Sequence, residues 1–401
     1  MVEIMIKRDY YLNKLKKYRN TDEIKVICGI RRCGKTVLLK QLMEELINDN
    51  VPQENIIYLS FESSKYRHIE NDIQLDEIIH DKTKNLNGKI YLLFDEIQQV
   101  IGWEKSVNSY RVDFDADIYI TGSNSTLLSG ELVTLLSGRY ITIDIYPFSF
   151  KELLRYYDDI NENELFNQYL SFGGFPGLLN YDDEGKVNLL QDLYSTIILN
   201  DILYRSNIKD FDLLKRLMEF MILNIGQTFS ANSISKFIKN ERRTTPATII
   251  NFLEYVINAF ILFQVKREDI KLKKKLLISE KYYVIDPGFY YIFNDESQRD
   301  WGQLLENIVF IELIRRGYDV NVGKINGFEI DFVCYKAKKK KYIQVSESIV
   351  DSQTREREFK SLRKLNDNYP KYVITNDDRD YSNEGIVHLN IIDFLKLDDD
   401  F

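Results

Sequence analysis

Three cysteines in 401 residues, Cys28, Cys33 and Cys334, are too few for a disulfide framework and point to a reducing compartment, so a cytoplasmic protein is expected. The three histidines, His68, His80 and His388, are scattered without metal-ligand spacing, and no histidine metal centre is expected. No apolar run approaches the ~18 residues that a membrane span needs. The first ten residues also lack the apolar stretch of a secretion signal. Repeats and low-complexity tracts are missing as well. What remains is 44% hydrophobic and 29% charged, a folding composition, in a chain long enough for two to four domains.

The net charge of −8 argues against a protein that coats nucleic acid over its whole surface. The charge is uneven, however. Residues 205–281 hold 15 Lys/Arg against 8 Asp/Glu, so a basic middle of net +7 is flanked by chain carrying −15. Such a middle suits either a local anion-binding face or an ordinary solvated helical surface.

Over the first 145 residues, β-rich runs alternate with helical patterns. Strands are expected at 25–28, 55–61, 90–94, 117–120 and 140–145, with a helix over 37–47, which predicts a parallel sheet covered on both faces. Residues 149–204 read as helical, interrupted by Gly173-Gly174-Phe175-Pro176-Gly177. Residues 205–285 read as helices (230–239 and 247–260) followed by strands 261–265 and 281–285 around a lysine-rich turn, the outline of a winged helix. The tail reads as a helix (302–316), three strands, a helix (354–366) and a final strand near 372–374. The expected domains are 1–148, 149–204, 205–285 and 286–401.

Gly29-Ile30-Arg31-Arg32-Cys33-Gly34-Lys35-Thr36 fits G-x-x-x-x-G-K-[S/T] between a strand and a helix. Glycines let the backbone curl so that its N–H groups point at phosphate oxygens, and the helix opening at Lys35 and Val37 directs its positive dipole end at the same anion. Lys35 would bridge the outer phosphates and Thr36 would ligate Mg²⁺. Arg31, Arg32 and Cys33 complete the cradle, and the dipole is expected to lower the Cys33 thiol. About 60 residues further on, Asp95-Glu96 closes a hydrophobic strand. Asp95 would hold Mg²⁺ through water and Glu96 would act as general base. Ser123-Asn124 ends the next strand and suits γ-phosphate sensing, or else caps a helix. Arg139 is a candidate finger in its own or a neighbouring subunit, or a surface ion-pair partner.

These residues, with Phe-Asp-Glu-Ile-Gln (94–98), Thr-Gly-Ser-Asn-Ser (121–125), Ser-Gly-Arg-Tyr (137–140), Tyr-Pro-Phe-Ser-Phe (146–150) and the Gly-Gly-Phe-Pro-Gly segment, resemble a group of prokaryotic AAA+ P-loop ATPases. In that group the ATPase is fused to a C-terminal region of unknown function. The resemblance spans essentially the whole chain. It implies an α/β P-loop NTPase core of AAA+ type, a helical lid, a winged helix and a degenerate nuclease-like α/β end.

For 205–285 the DNA reading makes 247–260 the recognition helix, led by Arg242 and Arg243, with Lys271, Lys273, Lys274 and Lys275 on phosphates. A protein-docking role is the alternative. The tail resembles the PD-(D/E)xK nuclease fold, with Glu306 as the helix acid and Asp331 as the strand acid. Glu329 and Asp331 share a strand face. Gln344-Val345-Ser346 stands where an acid and a lysine belong, so an inactive, relic site is expected. The functional expectation is an ATPase that uses ATP and Mg²⁺, has double-stranded DNA or a protein as partner, and can form oligomers. The alternatives are a slow nucleotide-dependent switch and an ATP-regulated nuclease.

Overall fold

The computed structural model describes residues 6–398 apart from 124–135, 137, 158, 204–207, 209, 240–243, 273 and 295–298, and excludes side chains at 237–239 and 274–279. It divides into two compact units, 1–146 and 147–401.

In the first unit, α1 (Asp9–Lys17), β1 (Ile24–Cys28), α2 (Lys35–Asn48), β2 (Ile56–Ser60), α3 (Asp72–Thr83), β3 (Ile90–Asp95), α4 (Trp103–Asp113), β4 (Ala116–Gly122) and β5 (Tyr140–Asp144) follow one another. β1 and β3 are buried along their whole length, as continuous apolar runs must be when both faces of a sheet are covered. All five strands are parallel, in the order β2–β3–β4–β1–β5. Ser60 lies opposite Asp95, and Cys28 opposite both Gly122 and Asp144, so the carboxyl ends share one edge. Behind that edge the fully buried Lys25 ammonium pairs with Asp117 at 2.5 Å. The Thr21 carbonyl accepts from Lys25, while the Tyr119 hydroxyl and the Asn20 N–H donate to Asp117. Both Asp117 oxygens accept hydrogen bonds and the Lys25 ammonium has two acceptors, which offsets much of the cost of burying the pair.

The second unit opens with helices: α5 (Phe150–Tyr156), α6 (Glu162–Phe172), α7 (Asp183–Ile197), which passes into a π-helical turn at Ile198–Leu203, and α8 (Phe211–Leu223). Ser149 starts α5 through a reciprocal capping box with Glu152. β6 (Thr228–Phe229), α9 (Ala231–Lys239), α10 (Pro246–Asn258), β7 (Leu262–Asp269) and β8 (Lys274–Val284) come next. The chain ends with α11 (Pro287–Tyr291), α12 (Trp301–Arg315), β9 (Asp319–Ile325), β10 (Phe328–Lys336), β11 (Lys339–Val345), α13 (Ser352–Arg363), β12 (Lys371–Thr375), β13 (Ile386–Asn390) and α14 (Ile391–Lys396). The strand expected near 372–374 is therefore not the last, and β13 adds one beyond the sequence pattern.

One eight-stranded sheet, β13–β12–β11–β10–β9–β7–β8–β6, gathers every strand among the described residues of this unit. It runs across the boundary expected at 285, because Arg267–Asp269 of β7 pair in parallel with Val322–Lys324 of β9. The Gly173-Gly174 turn is shaped by Asp286, whose carboxylate accepts from the N–H groups of Gly174 (2.8 Å) and Gly288 (2.9 Å). Gly173 has φ +72°, and a Cβ there would lie 1.6 Å from the Asp286 carboxylate, so glycine is required. No helix among the described residues is long and apolar enough to cross a membrane.

Candidate nucleotide-binding site

The loop between β1 and α2 lies on the shared carboxyl edge. Gly34 caps α2 at φ 103° and Arg32 sits at φ 62°, two left-handed turns that curl the loop. Gly29 is required for a different reason: a Cβ would meet the Ile145 carbonyl at 2.3 Å, where the chain leaves β5. The loop is braced from behind by the buried Arg8, whose guanidinium donates to the carbonyls of Cys33 (3.0 Å) and Tyr146 (2.8 Å). Its main-chain N–H donates to Gln41 of α2.

Inside this frame Lys35 is buried, its ammonium donating to the Gly29 (3.0 Å) and Ile30 (3.1 Å) carbonyls and standing 3.7 Å from Glu96. Asp95 collects four hydroxyl donors from three elements, α2, β2 and β4. Its Oδ2 accepts from Thr36 (2.9 Å), Tyr58 (3.1 Å) and Ser60 (3.3 Å), and its Oδ1 from Thr121 (2.8 Å). Thr121 also accepts from the Glu96 N–H, and Gln98 donates to the Glu96 carboxylate. Glu96 itself holds φ +55°, an uncommon state for a non-glycine residue and one that concentrates at functional sites. Glu62, 4.0 Å from Arg31, has its carboxyl raised by burial and by the nearby Glu96. Val37 lies in the first turn of α2 and Ser123 is buried just past β4.

Lys35, Thr36, Asp95 and Glu96 are therefore brought together. Arg8, Tyr58, Thr121 and Gln98 join them without having been expected as site residues from the sequence; only Gln98 and Thr121 carry a signal there, as the last residue of the Phe-Asp-Glu-Ile-Gln segment and the first of Thr-Gly-Ser-Asn-Ser. Arg139 is not brought to the loop. It precedes β5, and its backbone pairs with Ile24 at the start of β1. Five residues of strand at about 3.3 Å each put the P-loop about 16 Å away, while the exposed Arg139 guanidinium donates to Asn108. The Cys33 expectation is corrected: the thiol is fully buried and raised, not lowered, because burial outweighs the helix end and Lys35. Asn124, Arg242, Arg243 and Lys273 lie outside the described residues, as do the side chains of Lys274 and Lys275. Lys271 is exposed on the β7–β8 turn. In the second unit, Glu306, Glu329 and Asp331 converge around Lys281, and the Gln344 side chain accepts from the Asp331 N–H at 3.4 Å.

Residues 21–154 match a family model described as an AAA domain. An uncharacterized protein of Haemophilus influenzae is 40% identical, covering 98% of this chain and all of its own length. The uncharacterized protein MJ1544 of Methanocaldococcus jannaschii is 32% identical over 93% of this chain and 85% of its own. The chain is an AAA-domain protein of the same family as these two. Models described only as domains of unknown function match 163–323 and 301–394 of the AAA-domain protein, the first spanning both sides of residue 285. Among solved structures, a Walker-type ATPase of Pyrococcus abyssi superposes with a TM-score of 0.50 at 18% identity, covering 72% of this chain and 96% of that one, a likeness of fold.

Proposed function

We propose that this AAA-domain protein binds Mg·ATP at residues 29–36 and hydrolyses it, and that the nucleotide state governs what its C-terminal unit binds. One observation carries the reading: Lys35, Thr36, Asp95 and Glu96 meet on the carboxyl edge of the parallel sheet, at the start of a helix. The residues suit the group. The Thr36 hydroxyl and Asp95 carboxylate are hard oxygen donors of the kind Mg²⁺ takes, and Gly29 and Gly34 leave the backbone bare. Mg·ATP, when bound, supplies the bond to be split and the metal that offsets its developing charge. Lys35 would leave the Gly29 and Ile30 carbonyls for the outer phosphates. Glu96, freed of Lys35 and steadied by Gln98, would take the proton of the attacking water. Arg139 would contribute only from a neighbouring copy.

For the C-terminal unit, the order α9–α10–β7–β8 supports a winged helix whose Arg242, Arg243, Lys271, Lys273, Lys274 and Lys275 touch duplex phosphates. A second reading, a nucleotide-dependent switch that docks a protein, is favoured by α10. Its exposed positions Ala247, Ile250, Asn251 and Glu254 carry no positive charge.

ATP turnover measured over a range of protein concentrations, with and without duplex DNA, tests these readings. Lys35→Ala should abolish binding or turnover with the fold intact, and Glu96→Gln should retain nucleotide but turn over about 10²-fold more slowly. Unchanged turnover in Lys35→Ala refutes the site. Turnover per chain that rises with concentration supports Arg139 in trans, and turnover indifferent to concentration and DNA supports the switch.

A further inference from the structure

The carboxylates of the second unit hold a cation of their own. Glu306 projects from α12, Glu329 and Asp331 from β10, and Lys281 from β8 reaches into their midst. Its ammonium lies 2.8 Å from Glu306 Oε1, 2.9 Å from Glu329 Oε1 and 3.7 Å from Asp331 Oδ1, and the residue is 4% exposed. Further donors reach the cluster. Arg267 donates to Glu329 Oε2 at 2.8 Å and the Val345 N–H to Asp331 Oδ2 at 2.9 Å, while the Tyr283 hydroxyl is a second donor to Glu306 Oε1 at 2.5 Å.

Three converging carboxylates are ordinary oxygen ligands for a divalent ion. Here one oxygen from each faces the same ammonium, and like charges at that range exclude a second cation from the same space. We infer that Lys281 is the resident cation of this cluster, standing where a divalent metal would sit and fastening β8 to α12 and β10, so that the cluster is an anchor and not a phosphodiester-cleaving centre. The neighbouring strand agrees: Gln344 brings no charge beside Asp331, and Ser346 no ammonium. Lys281 and Arg267 offset two of the three carboxylates, and Asp331 is held well above the usual carboxylate range by burial and by Glu306. For Lys281, burial opposes the charged form, but Glu306, Asp331 and Glu329 outweigh it and raise the ammonium, so the cation is firmly held.

The test uses the full chain with Asp95→Asn, which silences the nucleotide site, and Mn²⁺ alone as probe, followed by electron paramagnetic resonance and thermal unfolding. The parent should show no saturable Mn²⁺ uptake at millimolar concentration. Adding Lys281→Ala should lower the unfolding midpoint by about 10 °C. It should also create one saturable Mn²⁺ site, and Mn²⁺ should restore part of the lost midpoint. Lys281→Arg should keep the charge and bind none. Mn²⁺ bound by the parent and lost on adding Asp331→Asn overturns the inference whether or not the Lys281→Ala chain folds. So does a Lys281→Ala chain that folds, keeps the parent midpoint and takes up no Mn²⁺.

Discussion

Asp286 offers a perturbation whose size and sign follow from the structure. The side chain is fully enclosed, and burial pushes its carboxyl from the ordinary 3.8 up to about 7, against the opposing N–H donors of Gly174 and Gly288. Below pH 3.8 folded and unfolded chains both hold the proton. Between 3.8 and about 7 only the folded chain does, so unfolding releases a proton and stability falls as pH rises. Above that window both are ionised and the contribution is flat, with its stabilising share gone. At about 1.4 kcal/mol per pH unit, the span amounts to about 4 kcal/mol. Asp286→Asn removes the titration. Urea denaturation of both chains at pH 4.5 and pH 8 measures most of it: the wild type should lose about 3 kcal/mol more than the variant between those conditions, the first part of the span lying below pH 4.5. The other acids titrate alike in both chains and cancel in the difference. Parallel stability–pH curves for the two chains would refute the reasoning, and a wild type that gains stability with pH relative to the variant would reverse its sign.

Asp117→Ala should cost about 3–5 kcal/mol in chemical denaturation, because it strands the Lys25 ammonium in a fully buried position; a loss below about 1 kcal/mol would place that charge in contact with water. Arg8→Ala should leave the chain folded but slow ATP turnover about 10–10²-fold, since the brace on the Cys33 carbonyl is removed and the loop misplaced. Circular dichroism and turnover assays check both halves of that statement. Replacing Lys271, Lys273, Lys274 and Lys275 with alanine should weaken duplex binding uniformly across sequences and lower the salt slope by about one for each phosphate left without its lysine. A flat salt response in the unaltered chain removes the DNA reading.

The P-loop is legible in the sequence because its chemistry is local: the glycines, Lys35 and Thr36 sit within one turn of chain, and hydrophobic runs mark the strands that flank it. Asp95-Glu96 is legible because it closes such a run. The contacts of Tyr58 and Thr121 with Asp95 are not, because only the strand order carries β2 and β4 to either side of β3, and nothing within either strand points to that carboxylate. Arg8 is hidden for the same reason, far from Cys33 in sequence and adjacent in space. Arg139 precedes the expected strand at 140–145 and so occupies the amino end of β5; it is the parallel pairing of β5 with β1 that sets that end opposite the P-loop. Lys281 belongs to a basic stretch, where spacing cannot tell a buried lysine from a solvated one. β13 escapes the pattern because its run is short and bounded by polar residues.

The ladder between β7 and β9 carries a mechanical consequence. Because the lysine-tipped hairpin shares backbone hydrogen bonds with the C-terminal strands, and Lys281 pins the same region to α12, the hairpin cannot swing as a hinged flap. A load applied at its tip would pass into the entire pleated plate and be shared by its eight strands.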